Sequence, residues 1–332
     1  MSAERALLYC AGGGIGDSLV ASIVARALRT RYAGVDALTL PSHRPLLQRV
    51  PDIDETLVDE GGDERELART LAHRGYAACV VTWATARTAR IPQLAEIGMR
   101  VGQARRFYSF RFTRRIVVRS ELGDVTSHWA DILLDFARAI GCDTKDRMYR
   151  VVPTPEDEAA AAALRPDAPT FFVLNPCNAV ASKRGIWPIE GWTAVARDLH
   201  ERFGAPVLVS GATGDSPAAQ AIARAAGDGV TSIAGRTGIG AFAALAREAR
   251  AFVGITTGSM HVAAAAGCPT VGIFPFQSDF PDRWAPLSAR AAVVRASYRC
   301  HARDTKESCR DYACIANLDR TRILAAVTAL VA

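Results

Sequence analysis

Several features are scarce or missing in this chain of 332 residues, and each gap removes a class of protein. Lysine is almost absent: Lys145, Lys183 and Lys306 are the only three among 40 basic residues. No apolar run reaches the ~18–20 residues that a membrane-spanning helix needs. Residues 1–10 hold a single arginine and a very short apolar stretch, which reads as a first strand and not as a signal peptide. There is no low-complexity tract, and 22% charged against 49% apolar residues excludes a disordered chain and leaves material for a sizeable core. The eight cysteines form no disulfide framework; Cys10, Cys79, Cys142, Cys177 and Cys268 lie in or beside apolar segments, as buried thiols of a reducing compartment do. No glycine loop ends in Gly-Lys-Ser/Thr, so there is no P-loop.

What is present is a basic chain with an alternating pattern. The net charge of +6 favours anionic partners such as nucleotides, phosphorylated glycans or an acidic membrane surface, and does not require nucleic acid. Strand-like runs at 6–10, 37–40, 56–58 and 78–82 alternate with helical patterns at 17–32, 44–50, 64–73 and 87–97. In the first helix Val20, Ile23, Val24, Ala27 and Leu28 share one face. A helix at about 127–140 closes this half. Residues 151–155, rich in proline, read as a linker, and a helix follows at 156–164. A second series then runs through strands at 170–174, 206–210, 230–233, 251–255 and 270–274 and helices at 189–203, 217–226, 239–249 and 260–266, ending in a helix at 318–330. This predicts an α/β protein of two domains with parallel sheets and a cleft between the halves. Ligands bind beyond the carboxyl ends of such strands.

Two turns stand out. In the stretch 254–274, a strand passes through Thr256-Thr257-Gly258-Ser259-Met260-His261 into an alanine-rich helix. Free N–H groups of Gly258, Ser259 and Met260 at a helix N-terminus suit a phosphate-bearing ligand; an ordinary βα turn has the same outline. Near the start, Gly12-Gly13-Gly14-Ile15-Gly16-Asp17-Ser18 occupies the place of a dinucleotide fingerprint, but Asp17 stands where Gly-x-Gly-x-x-Gly needs its third glycine. A carboxylate there repels a pyrophosphate, which argues against a nicotinamide oxidoreductase. It suits a general base, or simply a helix cap.

Other candidates carry less. Lys183, in the loop from Asn175-Pro176 to Trp187-Pro188, is either a phosphate-binding cation or a surface lysine. Asp52-Ile53-Asp54 has the form of an Asp-x-Asp metal motif but lies away from both turns. Cys300, Cys309 and Cys314, with His301, match no recognised zinc spacing. Residues 100–119 interleave seven arginines with Phe107, Tyr108, Phe110 and Phe112. They read first as an irregular solvated edge and second as a surface for a phosphorylated acceptor or a membrane.

Taken together, these motifs resemble glycosyltransferase family 9, the bacterial lipopolysaccharide heptosyltransferase family. Gly14-Ile15-Gly16-Asp17 resembles its Gly-Asp motif, the block from Asn175-Pro176 through Lys183 to Trp187-Pro188 and Trp192 its lysine and Trp-Pro block, and Thr257-Gly258-Ser259-Met260-His261-Val262-Ala263-Ala264 its Ser/Thr-Gly-x-x-His-Leu-x-Ala signature. The resemblance covers nearly the whole chain. It implies a GT-B fold: two facing Rossmann-like domains, 1–152 for the acceptor and 153–317 for the nucleotide-sugar, with the helix at 318–332 crossing back toward the first. It further implies inverting transfer of heptose from ADP-L-glycero-D-manno-heptose to the lipopolysaccharide inner core, with no metal or cofactor. The protein would be cytoplasmic, with peripheral contact at the inner membrane surface. Asp17 matches the catalytic base, beside Gly14, Gly16 and Ser18 on the acceptor side. Lys183 matches the residue on the donor phosphates. Thr256, Thr257, Gly258, Ser259, Met260 and His261 fall on the donor turn, and Asp215 near the position of a ribose-binding acid. The chain departs from the family at Thr256, where an aspartate is common, at Ile23, where a proline is frequent, and in lacking a Cys-x-x-Cys pair in its tail. Thr256 leaves open another nucleotide-sugar, and a nucleotide-binding protein without catalysis is a further alternative.

Overall fold

The computed structural model describes residues 4–176, 187–276, 280–297 and 313–332. The chain divides into two compact units, Met1–Val151 and Val152–Ala332.

The first unit alternates β1 (Arg5–Tyr9), α1 (Ile15–Leu28), β2 (Gly34–Thr39), α2 (Arg44–Leu47), β3 (Thr56–Val58), α3 (Glu64–His73), β4 (Ala78–Val81), α4 (Ala86–Leu94), β5 (Met99–Gln103), β6 (Arg114–Ile116) and α5 (Trp129–Arg138). Its six strands are all parallel and run in the order β3-β2-β1-β4-β5-β6. The strand residues are apolar on both faces because helices cover both, which is why β1 and β4 read as short unbroken apolar runs. One face packs Leu7, Tyr9, Leu38, Cys79 and Val81 against Leu71 of α3 and Ile91 of α4. α1 buries its expected stripe, Val20, Ile23, Val24, Ala27 and Leu28, and packs beside α5.

The second unit repeats the plan: α6 (Pro155–Ala162), β7 (Phe172–Asn175), α7 (Ile189–Phe203), β8 (Val207–Val209), α8 (Ser216–Ala226), β9 (Val230–Ser232), α9 (Ile239–Glu248), β10 (Ala251–Ile255), α10 (Gly258–Ala265), β11 (Thr270–Phe274), α11 (Pro281–Trp284), β12 (Ala291–Arg295), α12 (Ala313–Ala316) and α13 (Arg320–Val331). Its sheet, also parallel, runs β12-β11-β10-β7-β8-β9. Renumbered from its own first strand, that is the order of the first unit. The last helix lies on this unit, with Ile323 and Val327 in the same core as Phe172, Val253 and Val271.

Three strands escape the apolar-run criterion. β5, β6 and β12 carry Arg100, Arg114, Arg115 and Arg295. β6 and β12 are the outermost strands of their sheets, where one flank is solvated and charge is tolerated. The expected irregular edge at 100–119 is therefore an edge, but an ordered one. Two charged networks brace the first unit. Asp59, almost fully buried, accepts from Arg87 Nε at 3.0 Å and Nη2 at 2.6 Å, from Gly61 N–H at 3.0 Å and from the Tyr9 hydroxyl. Buried Asp36 accepts from Tyr76 at 2.6 Å and from Arg5.

Candidate functional site

In a doubly wound sheet, crevices open where successive connections leave in opposite directions. The first unit has that point between β1 and β4, and the second between β7 and β10. Both glycine-bearing turns singled out in the sequence lie there.

After β1 the chain turns through Gly13, whose φ of +69° favours glycine. A Cβ at Gly13 would also lie 2.8 Å from Asp17 Oδ2. α1 then starts with Gly14 as N-cap, and Gly16 is its second residue. Asp17, at the third position, reaches back to accept from the Gly14 N–H at 2.7 Å. The cap reading of Asp17 thus holds, and it ties down one oxygen, Oδ2. Burial raises the Asp17 pKa, opposed by the Gly14 N–H and by His43. Ser18 is buried, its hydroxyl 3.2 Å from the Cys10 carbonyl and 2.8 Å from His43 Nδ1. Burial lowers the His43 pKa, and Asp17 pulls the other way. His43 follows β2 and carried no motif. Around Asp17 and Ser18, a small recess is lined by Cys10, Gly12, Ala21 and Thr82, by Trp83 after β4, and by Trp129 and Leu133 of α5.

At the second crevice a side-chain chain links three strand ends. Asn175, at the end of β7 and 3% exposed, donates through Nδ2 to Ser210 Oγ at 2.9 Å and accepts through Oδ1 from Ser259 Oγ at 3.0 Å. The Ser259 and Thr257 hydroxyls are 2.7 Å apart. Thr256 N–H is used by the Ile273 carbonyl at 2.9 Å. Of the three N–H groups expected free, Met260's bonds Thr257 O at 3.1 Å, while those of Gly258 and Ser259 have no partner among the described residues. Met260 and His261 are buried, Met260 with its sulfur against Gly272. The turn therefore offers N–H groups and hydroxyls, not the side chains of Met260 or His261. Asp215 follows β8, where its Oδ2 accepts from Ala212 N–H at 2.8 Å, the same cap that Asp17 makes.

Lys183, Cys300, His301 and Cys309 lie outside the described residues. Trp187 and Trp192 are buried and packed edge to face, with centroids 4.9 Å apart, so these two aromatics of the Trp-Pro block build the start of α7. Asp52 and Asp54 are spent on arginines: Asp52 accepts from Arg26 Nη2 at 2.8 Å and Asp54 from Arg29, both on or just past α1. No group of three or more metal-ligating side chains occurs among the described residues. Nor is any described helix long and apolar enough to cross a membrane. Cys10, Cys79, Cys142 and Cys268 are free and buried, Cys314 is buried, and burial pushes the Cys10 and Cys268 thiols up to about 12.

Two doubly wound units in one chain, each a six-stranded parallel sheet with the same strand order, give a protein of the GT-B fold class. Residues 64–313 match the family model of glycosyltransferase family 9 (heptosyltransferase), and the chain belongs to that family. It is similar to lipopolysaccharide heptosyltransferase 2 of Salmonella typhimurium, 25% identical over 301 residues that span 85% of each protein. Among solved structures it superposes on ADP-heptose lps heptosyltransferase II of E. coli with a TM-score of 0.80 at 21% identity, covering 98% of each chain. A family 9 glycosyltransferase of Veillonella parvula gives a TM-score of 0.85 at 18% identity, covering 100% of this chain and 98% of that one.

Proposed function

We propose that this protein transfers heptose from ADP-L-glycero-D-manno-heptose to a lipopolysaccharide inner-core acceptor, with inversion at the anomeric carbon and without a metal ion. The acceptor hydroxyl gives its proton to Asp17 as its oxygen bonds to the anomeric carbon. The bond from that carbon to the diphosphate breaks, and ADP leaves with the electron pair. Attack opposite the leaving group inverts the centre. The charge on ADP falls to Lys183, the Gly258 and Ser259 N–H groups and the Thr257 and Ser259 hydroxyls. The observation that carries this reading is Asp17: a half-buried carboxylate with a raised pKa, at the crevice of a sheet and in the first turn of α1, where a nucleotide phosphate would be repelled.

Asp17→Asn tests it. Asparagine can still accept from Gly14 N–H, so α1 keeps its cap while the base is lost. Turnover should fall by ~10²–10⁴-fold with ADP affinity kept; normal turnover refutes the assignment. Lys183→Ala should weaken ADP binding in calorimetry. Thr256, in place of the common aspartate, favours a second reading with another sugar on the nucleotide. Thermal shifts with ADP-, UDP- and GDP-sugars separate the two.

Peripheral contact with an anionic membrane belongs to the same reading. Phe107, Phe110 and Leu122 are 83%, 61% and 65% exposed. Phe107 and Leu122 lie in the connections that leave β5 and β6, which a 2.7 Å Arg106–Glu121 ion pair joins. Arginines 105, 114 and 115 flank them.

A further inference from the structure

We infer that Trp83 is a stacking platform for a pyranose ring of the acceptor, and that it presents the acceptor hydroxyl to Asp17. This rests on the acceptor-side reading of Asp17 given above and adds the group that would hold the sugar.

Trp83 lies two residues past the end of β4, across the crevice from the Asp17 turn. It is 42% exposed, although its indole lies on the backbone of Gly12: a Cβ there would come within 2.0 Å of Trp83 Cδ1. Gly12 is thus the residue that lets the ring lie flat on the glycine loop. The backbone beneath it is pinned. The Trp83 carbonyl accepts from Thr88 Oγ1 at 2.9 Å, and Thr85 and Thr88 close a reciprocal cap at the start of α4. The next carbonyl, of Ala84, accepts from the Tyr108 hydroxyl at 2.5 Å. A large aromatic left half in solvent on so rigid a base is preorganised for a ligand, because little freedom remains to be lost on binding.

The surroundings select the ligand. The recess itself has a volume of only about 10 Å³, room for about one water molecule. Neither a nucleoside diphosphate nor a sugar enters it, so a sugar ring would lie on the exposed indole at its mouth, within reach of Asp17. Trp129 and Leu133 add apolar lining, and Asp17 and Thr82 supply polar groups. A pyranose has this dual character: its axial C–H face covers an indole, and its equatorial hydroxyls reach acceptors at the rim. The Asp17 carboxylate repels a phosphate placed beside it, so an anionic acceptor would hold its charges away from this end of the indole.

The experiment is calorimetric titration of the full chain, loaded with ADP, with deacylated inner-core oligosaccharide of lipopolysaccharide. Trp83→Ala should weaken oligosaccharide binding about tenfold or more and Trp83→Phe about threefold. Gly12→Ala, which displaces the indole without removing it, should resemble Trp83→Ala. ADP affinity should stay within twofold in all three, which also reports intact folding. In turnover the loss should appear in the acceptor KM, with kcat at saturating acceptor within about threefold. An oligosaccharide affinity unchanged in Trp83→Ala overturns the platform and leaves the assigned reaction standing. Absence of oligosaccharide binding in the wild type overturns the platform together with the acceptor assignment. Turnover by Asp17→Asn, with Trp83→Ala still impaired in binding, overturns the base alone.

Discussion

Removing Asn175 should loosen the Gly258 turn, which it ties to the end of β8. The residue is 3% exposed and makes two side-chain hydrogen bonds, to Ser210 at 2.9 Å and from Ser259 at 3.0 Å. Asn175→Ala loses both, at about 1 kcal/mol each. Neither partner is orphaned: Ser210 Oγ retains the Leu174 carbonyl at 3.2 Å, and Ser259 Oγ retains Thr257 at 2.7 Å. The full penalty of an unsatisfied buried group is therefore avoided, and the vacated volume adds about 1 kcal/mol. The total is roughly 2–3 kcal/mol. Two compact units can unfold separately, so the loss should be read as denaturant unfolding of the second unit, followed by the fluorescence of its buried Trp187 and Trp192. ADP affinity should fall about tenfold in calorimetry, since Ser259 is no longer aimed. A double-mutant cycle with Ser259→Ala should return a coupling of about 1 kcal/mol, the value of the shared bond. Wild-type stability with ADP affinity within twofold would refute the account.

Further outcomes follow from the same structure. Because burial raises the Asp17 pKa, kcat/KM should decline on the acid side at a pH above the ordinary carboxylate value of about 4, activity being lost as pH falls through the folded pKa; an acid limb at or below that value contradicts the base assignment. Burial opposes charge on Asp59, but Arg87, Tyr9 and the Gly61 N–H outweigh it and hold its carboxyl below the usual range. Its stabilisation is thus complete above the unfolded value near 4 and lost as pH falls through the lower folded pKa. Asp59→Ala should cost the first unit about 3 kcal/mol at pH 7 and flatten this part of the acid-unfolding curve. Vesicles rich in anionic lipid should bind the protein in a salt-sensitive way while neutral vesicles do not, and Arg114→Glu with Arg115→Glu should weaken that binding by at least about fivefold per arginine. Equal binding to both vesicle types, or no effect of the substitutions, removes the membrane surface from the reading.

Much of this architecture was legible because buried parallel strands must be apolar on both faces. β1, β4, β7, β10 and β11 stand out as runs for that reason. β6 and β12 do not, because a run test penalises the arginines that a solvated edge accepts, and β5, next to that edge, is hidden by Arg100, whose guanidinium donates to the Arg111 and Ile97 carbonyls. The same asymmetry governs the site. Asp17 and the Gly258 turn were visible because glycines and a misplaced carboxylate break a local pattern. His43, Ser210 and Trp83 follow their strands without any such irregularity, and only the strand order brings them to a crevice. Asn175 was visible as part of a motif, yet its role as the link between Ser210 and Ser259 depends on contacts 35 and 84 residues away. Trp83 had one available signal, an aromatic placed just after an apolar strand, at the edge where ligands bind.

The two units show why fold alone leaves the chemistry open. They share one strand order and place a turn at the same topological point, yet the turns are electrostatic opposites. In the first, the cap at the start of the helix is a side-chain carboxylate: Asp17 occupies the Gly14 N–H that an anion would otherwise take. In the second, no side chain caps α10, and the Gly258 and Ser259 N–H groups stay unpaired among the described residues. On the proposed reading, that difference in capping separates a crevice that repels a phosphate from one that receives it. A transferase needs both kinds, one to take a proton and one to hold a departing diphosphate. Exchanging the character of either turn, as in Asp17→Gly or Ser259→Asp, should abolish transfer while leaving each sheet intact. If Asp17→Gly kept its activity, the division of labour between the two crevices would be wrong.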